Sequence, residues 1–345
     1  MTANAANIAI AGCGAVSTLY YAPALALLQQ QGRIGGVRAF DPDMDRARAF
    51  AGLLQEARIS PSFADLLAAP ADLMIVASPP MVHADQAIAA LNAGRHVLCE
   101  KPLAVGSAQA QQMIDAAARS NRRLLAGHIR RQFPATNAIA DIIQSGLLGD
   151  ISAVSCFEGG PFAWPVSGPG YFTKAASGGG VLQDIGTHCL DLLTWWLGQP
   201  AGLSYEDDAL GGVEANCLVR LDYPGFEARI RLSRDWAQPN VYRIAGAKGW
   251  LEWPVNDPVN FTLYLSGSGI AHVRTEAPAG DEFHLAFARQ IEAALDGGAN
   301  AVSASAVLPV IAMIDACYAA RTPMHLPWLA PDEAARARTL AGTAS

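Results

Sequence analysis

Between Asn7 and Ala126, short apolar runs alternate with amphipathic ones. The runs NIAIAG (7–12), GVRAF (36–40), ADLMIVA (71–77), RHVLC (95–99) and RLLA (123–126) read as buried strands. The segments between them read as helices: one through Leu28, one over about 43–56, one from His83 to Leu91 and one near 107–119. Such alternation builds a parallel, doubly wound sheet, because a parallel connection needs a dozen or more residues and a helix supplies them. In sheets of this kind, ligands sit beyond the carboxyl ends of the strands. Gly12, Asp41, Pro79 and Lys101 all lie at those ends.

The first of these ends reads Gly12-Cys13-Gly14-Ala15-Val16-Ser17 and leads into a helix. Gly12 and Gly14 allow a tight turn and close approach of the backbone to a pyrophosphate. Ala15 and Val16 open a helix whose free N–H groups and positive dipole end face the same anion. Ser17 stands where a dinucleotide-binding fingerprint usually has Gly or Ala, and is still small enough for close helix–strand packing. Asp41, at the end of the second strand, is placed to accept hydrogen bonds from both adenosine ribose hydroxyls and to repel a 2′-phosphate. NAD is therefore expected ahead of NADP. The alternative role for Asp41 is N-cap of the following helix, whose first turn carries Arg46. Ser78 and Pro79 are expected to shape the nicotinamide pocket through their backbone. His83 suits either a cofactor contact or a capping role. Glu100 suits either a basic partner or the nicotinamide ribose.

A second stretch, GGGVLQDIGTHCLDLLTWW (178–196), places Asp184, His188 and Asp191 at i, i+4 and i+7. In an α-helix all three share one face. Leu190, Leu193, Trp196 and Leu197 can supply an apolar stripe on another side. A carboxylate that orients and tunes an imidazole makes a proton-transfer site; a salt-bridged helix with a structural histidine has the same pattern. The stretch alone does not choose between them.

The junction between halves is expected near Gly127, giving a dinucleotide-binding domain over 1–126 and a second domain over 127–345. Strand-like segments then recur at 151–158, 202–207, 213–222, 226–235, 241–245, 250–253, 260–264 and 270–275. Gly or Pro between many of them suits antiparallel neighbours. Helices over Glu282–Leu295 and Ala304–Ala320 close the chain. Phe162-Ala163-Trp164-Pro165 and Gly170-Tyr171-Phe172-Thr173 fill the loop before the site helix. Their rings suit either stacking on a sugar-like ring or packing in the core or an interface, and Tyr171 suits a hydroxyl. Arg130, just past the last strand of the first half, is either a polar substrate contact or a solvated surface cation.

The 345 residues are 51% hydrophobic and 16% charged, which builds a sizeable core and argues against disorder. Net charge is −7 without a Lys/Arg block, so nucleic acid has no electrostatic footprint here. The first 32 residues lack any charged side chain. They also lack the basic start of a signal peptide, and no run approaches the ~20 apolar residues of a membrane helix. The six cysteines form no CxxC pair. Reduced thiols, a cytoplasmic location and no metal site are expected.

Three features together resemble the glucose–fructose oxidoreductase/inositol dehydrogenase (Gfo/Idh/MocA) family. They are GCGAVS after the first strand, SPPMVHADQAIAALNAGRHVLCEKPLA (78–104), and GGGVLQDIGTHCLDLLTWWLG (178–198). The second is similar to the family's Pro–x3–His helix leading into a Glu-Lys-Pro signature. The third is similar to its Gly-Gly…Asp-x-Gly-x-His-x-x-Asp signature. The resemblance implies a Rossmann domain followed by an open, mostly antiparallel sheet with helices on one face and an outer face that makes a homodimer or homotetramer. It implies that Lys101 reaches between nicotinamide and substrate, that His188 is the acid/base on the reacting oxygen, and that Asp184 completes the site. The expected activity is NAD(P)-dependent hydride transfer at a secondary alcohol or ketone of a sugar, cyclitol or sugar derivative. Two alternatives stand beside it: an NAD-dependent glycosidase of the same fold, and a non-catalytic dinucleotide-binding sensor.

Overall fold

The computed structural model describes residues 5–166, 169–277, 280, 282–298, 301–325 and 330–342. The chain forms two compact units, Met1–Gln132 with Ala277–Ile311, and Phe133–Glu276 with Ala312–Ser345.

The first unit contains a six-stranded sheet: β1 (Ala6–Ala11), β2 (Ile34–Phe40), β3 (Ala57–Ile59), β4 (Leu73–Val76), β5 (His96–Glu100) and β6 (Leu124–Gly127). Its order is β3-β2-β1-β4-β5-β6 and every pairing is parallel. This is the order of a dinucleotide-binding doubly wound sheet, whose crevice opens where the order reverses beside β1 and β4. The connections carry α1 (Ala22–Gln30), α2 (Met44–Ala51), α3 (Phe63–Ala68), α4 (His83–Asn92) and α5 (Ser107–Ser120). β4 is buried along its whole length, as expected of a strand covered on both faces. Ala9, Met74, Val97 and Leu124 of the strands pack with Ala87, Leu91 and Met113 of α4 and α5.

One expectation over 43–70 needs correction. The helix expected to run to residue 56 stops at Ala51, and the chain then adds the edge strand β3 and the short helix α3. A three-residue strand is too short to show a period, so the sequence pattern passed over it. The first unit also takes in α9 (Phe283–Asp296), where Arg123 Nη2 donates to the Ala294 and Leu295 carbonyls at 3.1 and 2.6 Å. The helix after it, α10 (Ala304–Ala319), is divided between the units at Ile311.

The second unit contains β7 (Ile151–Gly159), β8 (Gly202–Asp207), β9 (Asn216–Tyr223), β10 (Phe226–Ser233), β11 (Val241–Gly246), β12 (Gly249–Pro254), β13 (Asn260–Leu265), β14 (Gly269–Arg274) and the two-residue β15 (Thr322–Pro323). They form one sheet in the order β14-β13-β12-β11-β7-β10-β9-β8-β15. Only β7–β10 and β8–β15 are parallel; the other pairings are antiparallel. Period-two alternation puts Ala228, Ile230 and Leu232 of β10 inside and Arg229 outside. The helices include α6 (Pro134–Gln144), α7 (Lys174–Ser177), α8 (Thr187–Leu197) and α11 (Pro331–Gly342). α8 is tied to α6 by Trp196 Nε1, which donates to the Thr136 carbonyl at 3.1 Å. Trp196 also meets Trp253 of β12 edge to face, at 6.3 Å between ring centroids. All six cysteines are buried as thiols. Among the described residues, no helix is long and apolar enough to cross a membrane.

Candidate functional site

In the first unit, the glycine-rich turn is built against the end of β4. Gly12 has φ +93°, and a Cβ there would lie 2.5 Å from Ala77 and Ser78 backbone atoms. Only glycine fits both that conformation and that approach. A Cβ at Gly14 would meet no protein atom within 4 Å. Protein packing therefore does not demand the second glycine. Ser17 is fully buried and its hydroxyl donates to the Gly12 carbonyl at 2.7 Å. That bond explains serine at the third position: the hydroxyl ties the opening helix turn back to the glycine turn. Ala15 and Val16 follow Gly14 directly and open this helix, which continues into a π-turn over Ser17–Tyr21.

Asp41 is 7% exposed. Its Oδ2 accepts from the Cys13 N–H at 2.8 Å and its Oδ1 from the Asp43 N–H at 2.9 Å. It is not the N-cap of α2; that residue is Asp43, which accepts from the Asp45 and Arg46 N–H groups. Asp41 therefore bridges the glycine turn and the β2–α2 loop, and each oxygen keeps a lone pair for a further donor. Burial and the Asp41 charge push the Cys13 thiol up to about 12, so it is not a thiolate.

The remaining residues of the expected cofactor side form one connected set. His83 is 1% exposed, with Nε2 2.7 Å from the Ser78 carbonyl and Nδ1 2.9 Å from the Pro102 carbonyl. It joins the end of β4 to the loop that carries Lys101. Burial lowers its pKa. Ser78 Oγ donates to Gln86 at 2.6 Å, and Pro79 is exposed. Glu100, 6% exposed, accepts from Tyr21 Oη at 2.7 Å and from the Lys101 N–H at 3.1 Å. Burial raises its pKa. Lys101 itself is half-buried and begins a cis peptide to Pro102. Arg130 is 3% exposed, which removes the solvated-cation alternative.

In the second unit, Gly178 caps α7 at φ +79°, and Gly179 and Gly180 are explained by packing. A Cβ on Gly179 would lie 2.0 Å from Tyr318 Oη, and one on Gly180 would lie 2.0 Å from the Glu214 carbonyl. Glu214 then receives the start of the site helix: its carboxylate accepts from Gly180 N–H and Leu182 N–H at 3.0 Å each and from Tyr318 Oη at 2.8 Å. A negative side chain at a helix start meets both the orphan N–H groups and the dipole. Burial raises the Glu214 pKa.

The expected face of Asp184, His188 and Asp191 is altered. A π-turn covers Leu182–Gly186 before α8 begins at Thr187. Its i→i+5 closure takes more residues per revolution than an α-helix, so the three positions are not stacked as simple spacing predicts. Asp184 and His188 are half-buried, whereas Asp191 is 1% exposed and part of the core. Tyr171 Oη donates to Asp184 Oδ2, and burial raises the Tyr171 pKa, with the Asp184 charge adding to it. Arg234 Nη2 donates to the same Oδ2 at 3.0 Å. Its guanidinium carbon lies 5.2 Å from the Phe162 ring centroid and 4.8 Å from that of Tyr171. Phe172 meets Tyr171 edge to face at 5.5 Å. The aromatic loop thus closes on the helix through Arg234, which sequence reading missed. Arg234 is the third arginine of the run FEARIRLSR, after Arg229 and Arg231, so no local signal set it apart.

Two family profiles match. One is described as an oxidoreductase family with an NAD-binding Rossmann fold and covers residues 6–128. The other is described as the GFO/IDH/MocA C-terminal domain and covers residues 136–252. The first unit is accordingly an NAD-binding Rossmann domain. Among curated relatives, trans-1,2-dihydrobenzene-1,2-diol dehydrogenase of Xenopus laevis is 29% identical over 61% of this chain and 64% of that protein. D-glucoside 3-dehydrogenase of Escherichia coli (strain K12) is 32% identical over 58% of this chain and 56% of that protein. The chain thus spans less than two thirds of the length of either. Levoglucosan dehydrogenase, solved with NADH and levoglucosan, shares the fold, with a TM-score of 0.78 at 20% identity over 91% of this chain and 96% of that one.

Proposed function

The chain belongs to the GFO/IDH/MocA oxidoreductase family, and on that premise we propose that it is an NAD(P)-dependent oxidoreductase acting on a secondary alcohol or ketone of a sugar, cyclitol or sugar derivative. The observation that carries the reading is the match of both family profiles; the choice of Lys101, Asp184 and His188 rests on the resemblance of their segments to the family's signatures. The relatives named above act, by name, on a dihydrodiol and a glucoside. Both are carbon–oxygen redox substrates with ring hydroxyls.

The first unit fits a dinucleotide. Gly12 fits the close turn, Gly14 leaves room beside the helix start, and Asp41 presents a buried carboxylate. When bound, the nicotinamide group supplies or accepts the hydride. Lys101 donates to the reacting oxygen as a cation and draws electron density from it. His188 takes the proton from the alcohol or returns it to the ketone, a task suited to an imidazole. Asp184 orients the imidazole or receives a neighbouring hydroxyl. The buried Asp41 carboxylate supports NAD over NADP, through its remaining lone pairs and its repulsion of a 2′-phosphate. A small carbohydrate-like substrate, a homodimer or homotetramer and a cytoplasmic setting complete the proposal.

The test is absorbance at 340 nm, with purified protein, NAD or NADP, and a panel of sugars, glycosides, sugar acids and inositols. Reduced-nicotinamide formation with one class establishes the activity. The Lys101→Ala/His188→Ala double variant must lose that turnover; normal rates would overturn the assignment. Tightly retained cofactor with glycoside cleavage and no net reduction points to the glycosidase. Cofactor binding without turnover in either direction points to the sensor.

A further inference from the structure

We propose that Arg234 is a positioning residue for the acid–base step: with Tyr171 it holds the Asp184 carboxylate in place and supplies its counter-charge. The inference rests on the functional reading above and extends it to a residue outside the family's signatures.

The backbone fixes Arg234 on both sides. Its N–H donates to the Ala215 carbonyl at 2.9 Å, and its carbonyl accepts from the Phe162 N–H at 2.9 Å. The side chain is 7% exposed. Nη2 reaches Asp184 Oδ2 at 3.0 Å and Tyr171 Oη at 3.3 Å, so the two donors on Oδ2 are themselves in contact. The Phe162 and Tyr171 rings, 5.3 Å apart, both lie beside the guanidinium. Nε and Nη1 are shut from solvent without an acceptor.

That combination is a poor stabilising device. Desolvating a guanidinium is expensive, and a buried ion pair is often no better for stability than apolar side chains of equal volume. Leaving two donor nitrogens unmatched adds to the penalty. Packing alone would be served as well by a methionine or leucine. What the arrangement provides beyond packing is a cation held at 3.0 Å from Asp184 Oδ2, with the Gly180 carbonyl a longer second acceptor of the same Nη2 at 3.5 Å. The planar guanidinium lies against two aromatic faces in a way a lysine ammonium does not reproduce. Titratable groups on the surrounding elements include Tyr171 from the aromatic loop, Arg234 and Asp235 just past β10, Glu214, which binds the start of the site helix, and His188 within that helix. Asp184 meets Arg234 as its cationic partner and Tyr171 as a neutral donor.

The experiment compares Arg234→Met, Arg234→Lys, Asp184→Asn and the Arg234→Met/Asp184→Asn double variant. Methyl β-D-glucopyranoside and myo-inositol with NAD are the probes. The expected result for Arg234→Met is a kcat lower by about 10- to 100-fold, with KM for NAD within about twofold, because the cofactor belongs to the first unit. Arg234→Lys should recover part of the loss. The double variant should be no slower than Asp184→Asn alone. A kcat within about twofold of wild type for Arg234→Met, or losses that simply multiply in the double variant, would overturn the proposal. If Arg234→Met does not fold, Tyr171→Phe removes the other donor; unchanged kcat there would count against it equally. A substrate-independent arm uses 13C-aspartate NMR, with the Asp184 Cγ signal assigned by its loss in Asp184→Asn. Arg234→Met should move that titration up by about one pH unit or more; no movement refutes the pairing. Wild-type protein that turns over neither probe would count against the functional reading, and the NMR arm would still decide Arg234.

Discussion

Asp41 sets up a prediction in which stability and cofactor choice separate. In Asp41→Ala, the Cys13 and Asp43 N–H groups lose an acceptor at 2.8 and 2.9 Å in a site 7% exposed. Each hydrogen bond to a charged acceptor is worth about 1.5–3 kcal/mol, and the vacated volume admits some water, so a total of about 2–4 kcal/mol is expected. For a unit of this size that corresponds to a fall in melting temperature of roughly 5–12 °C. Asp41→Asn keeps one carbonyl oxygen as acceptor and should lose about half as much. Affinity, measured by titration calorimetry well below the transition, should fall about 10- to 100-fold for NAD, since two ribose hydroxyls lose a charged partner. NADP should lose far less or gain, because its 2′-phosphate no longer meets a carboxylate. A melting temperature within about 1 °C of wild type would refute the bridging argument. Equal losses for NAD and NADP would refute Asp41 as the discriminator.

Three further outcomes follow from the same geometry. Gly12→Ala forces a side chain into a φ of +93° and within 2.5 Å of the Ala77–Ser78 backbone; it should destabilise the first unit by more than about 3 kcal/mol and abolish NAD binding, read by thermal denaturation and calorimetry. Glu214→Ala removes the acceptor of Gly180 N–H, Leu182 N–H and Tyr318 Oη; a loss of about 2–4 kcal/mol and a drop in kcat are expected, since the turn carrying Asp184 loses its anchor, and unchanged kcat would show that Asp184 is held from elsewhere. Glu100 has a folded pKa raised by burial, so the folded state binds its proton more tightly than the unfolded chain. Its contribution is fully present below the ordinary carboxylate range and is lost as pH rises through the raised folded value. Urea denaturation from pH 4 upward should therefore show wild type losing stability across that window and Glu100→Gln losing less; identical slopes would exclude Glu100 as the source.

The strands of the first unit were legible because a strand buried on both faces writes a continuous apolar run, as LMIV does in β4. Those of the second unit were legible because a half-covered sheet writes a period of two, as β10 does. The glycine turn was legible because its backbone needs Gly12 at a positive φ. Other features had no such local trace. β3 is three residues long. The π-turn over Leu182–Gly186 shifts a spacing that reads as plain α-helix. The assignment of 277–311 to the first unit depends on which surface a helix face meets, and an amphipathic pattern states only that it must meet one.

The same division runs through the site. Lys101, Asp184 and His188 stood out because they recur at fixed separations within continuous signatures. Arg234 lies 50 residues from the Asp184 it contacts, and Glu214 lies 34 from Gly180. By itself the sequence determined the two sheet types, the dinucleotide turn and the signature residues, since each rests on the periodicity or conformational demands of one continuous segment. The tertiary structure alone decided which guanidinium and rings meet at Asp184 and which distant carboxylate holds the start of its helix, because pairings across tens of residues are set by strand register and helix docking.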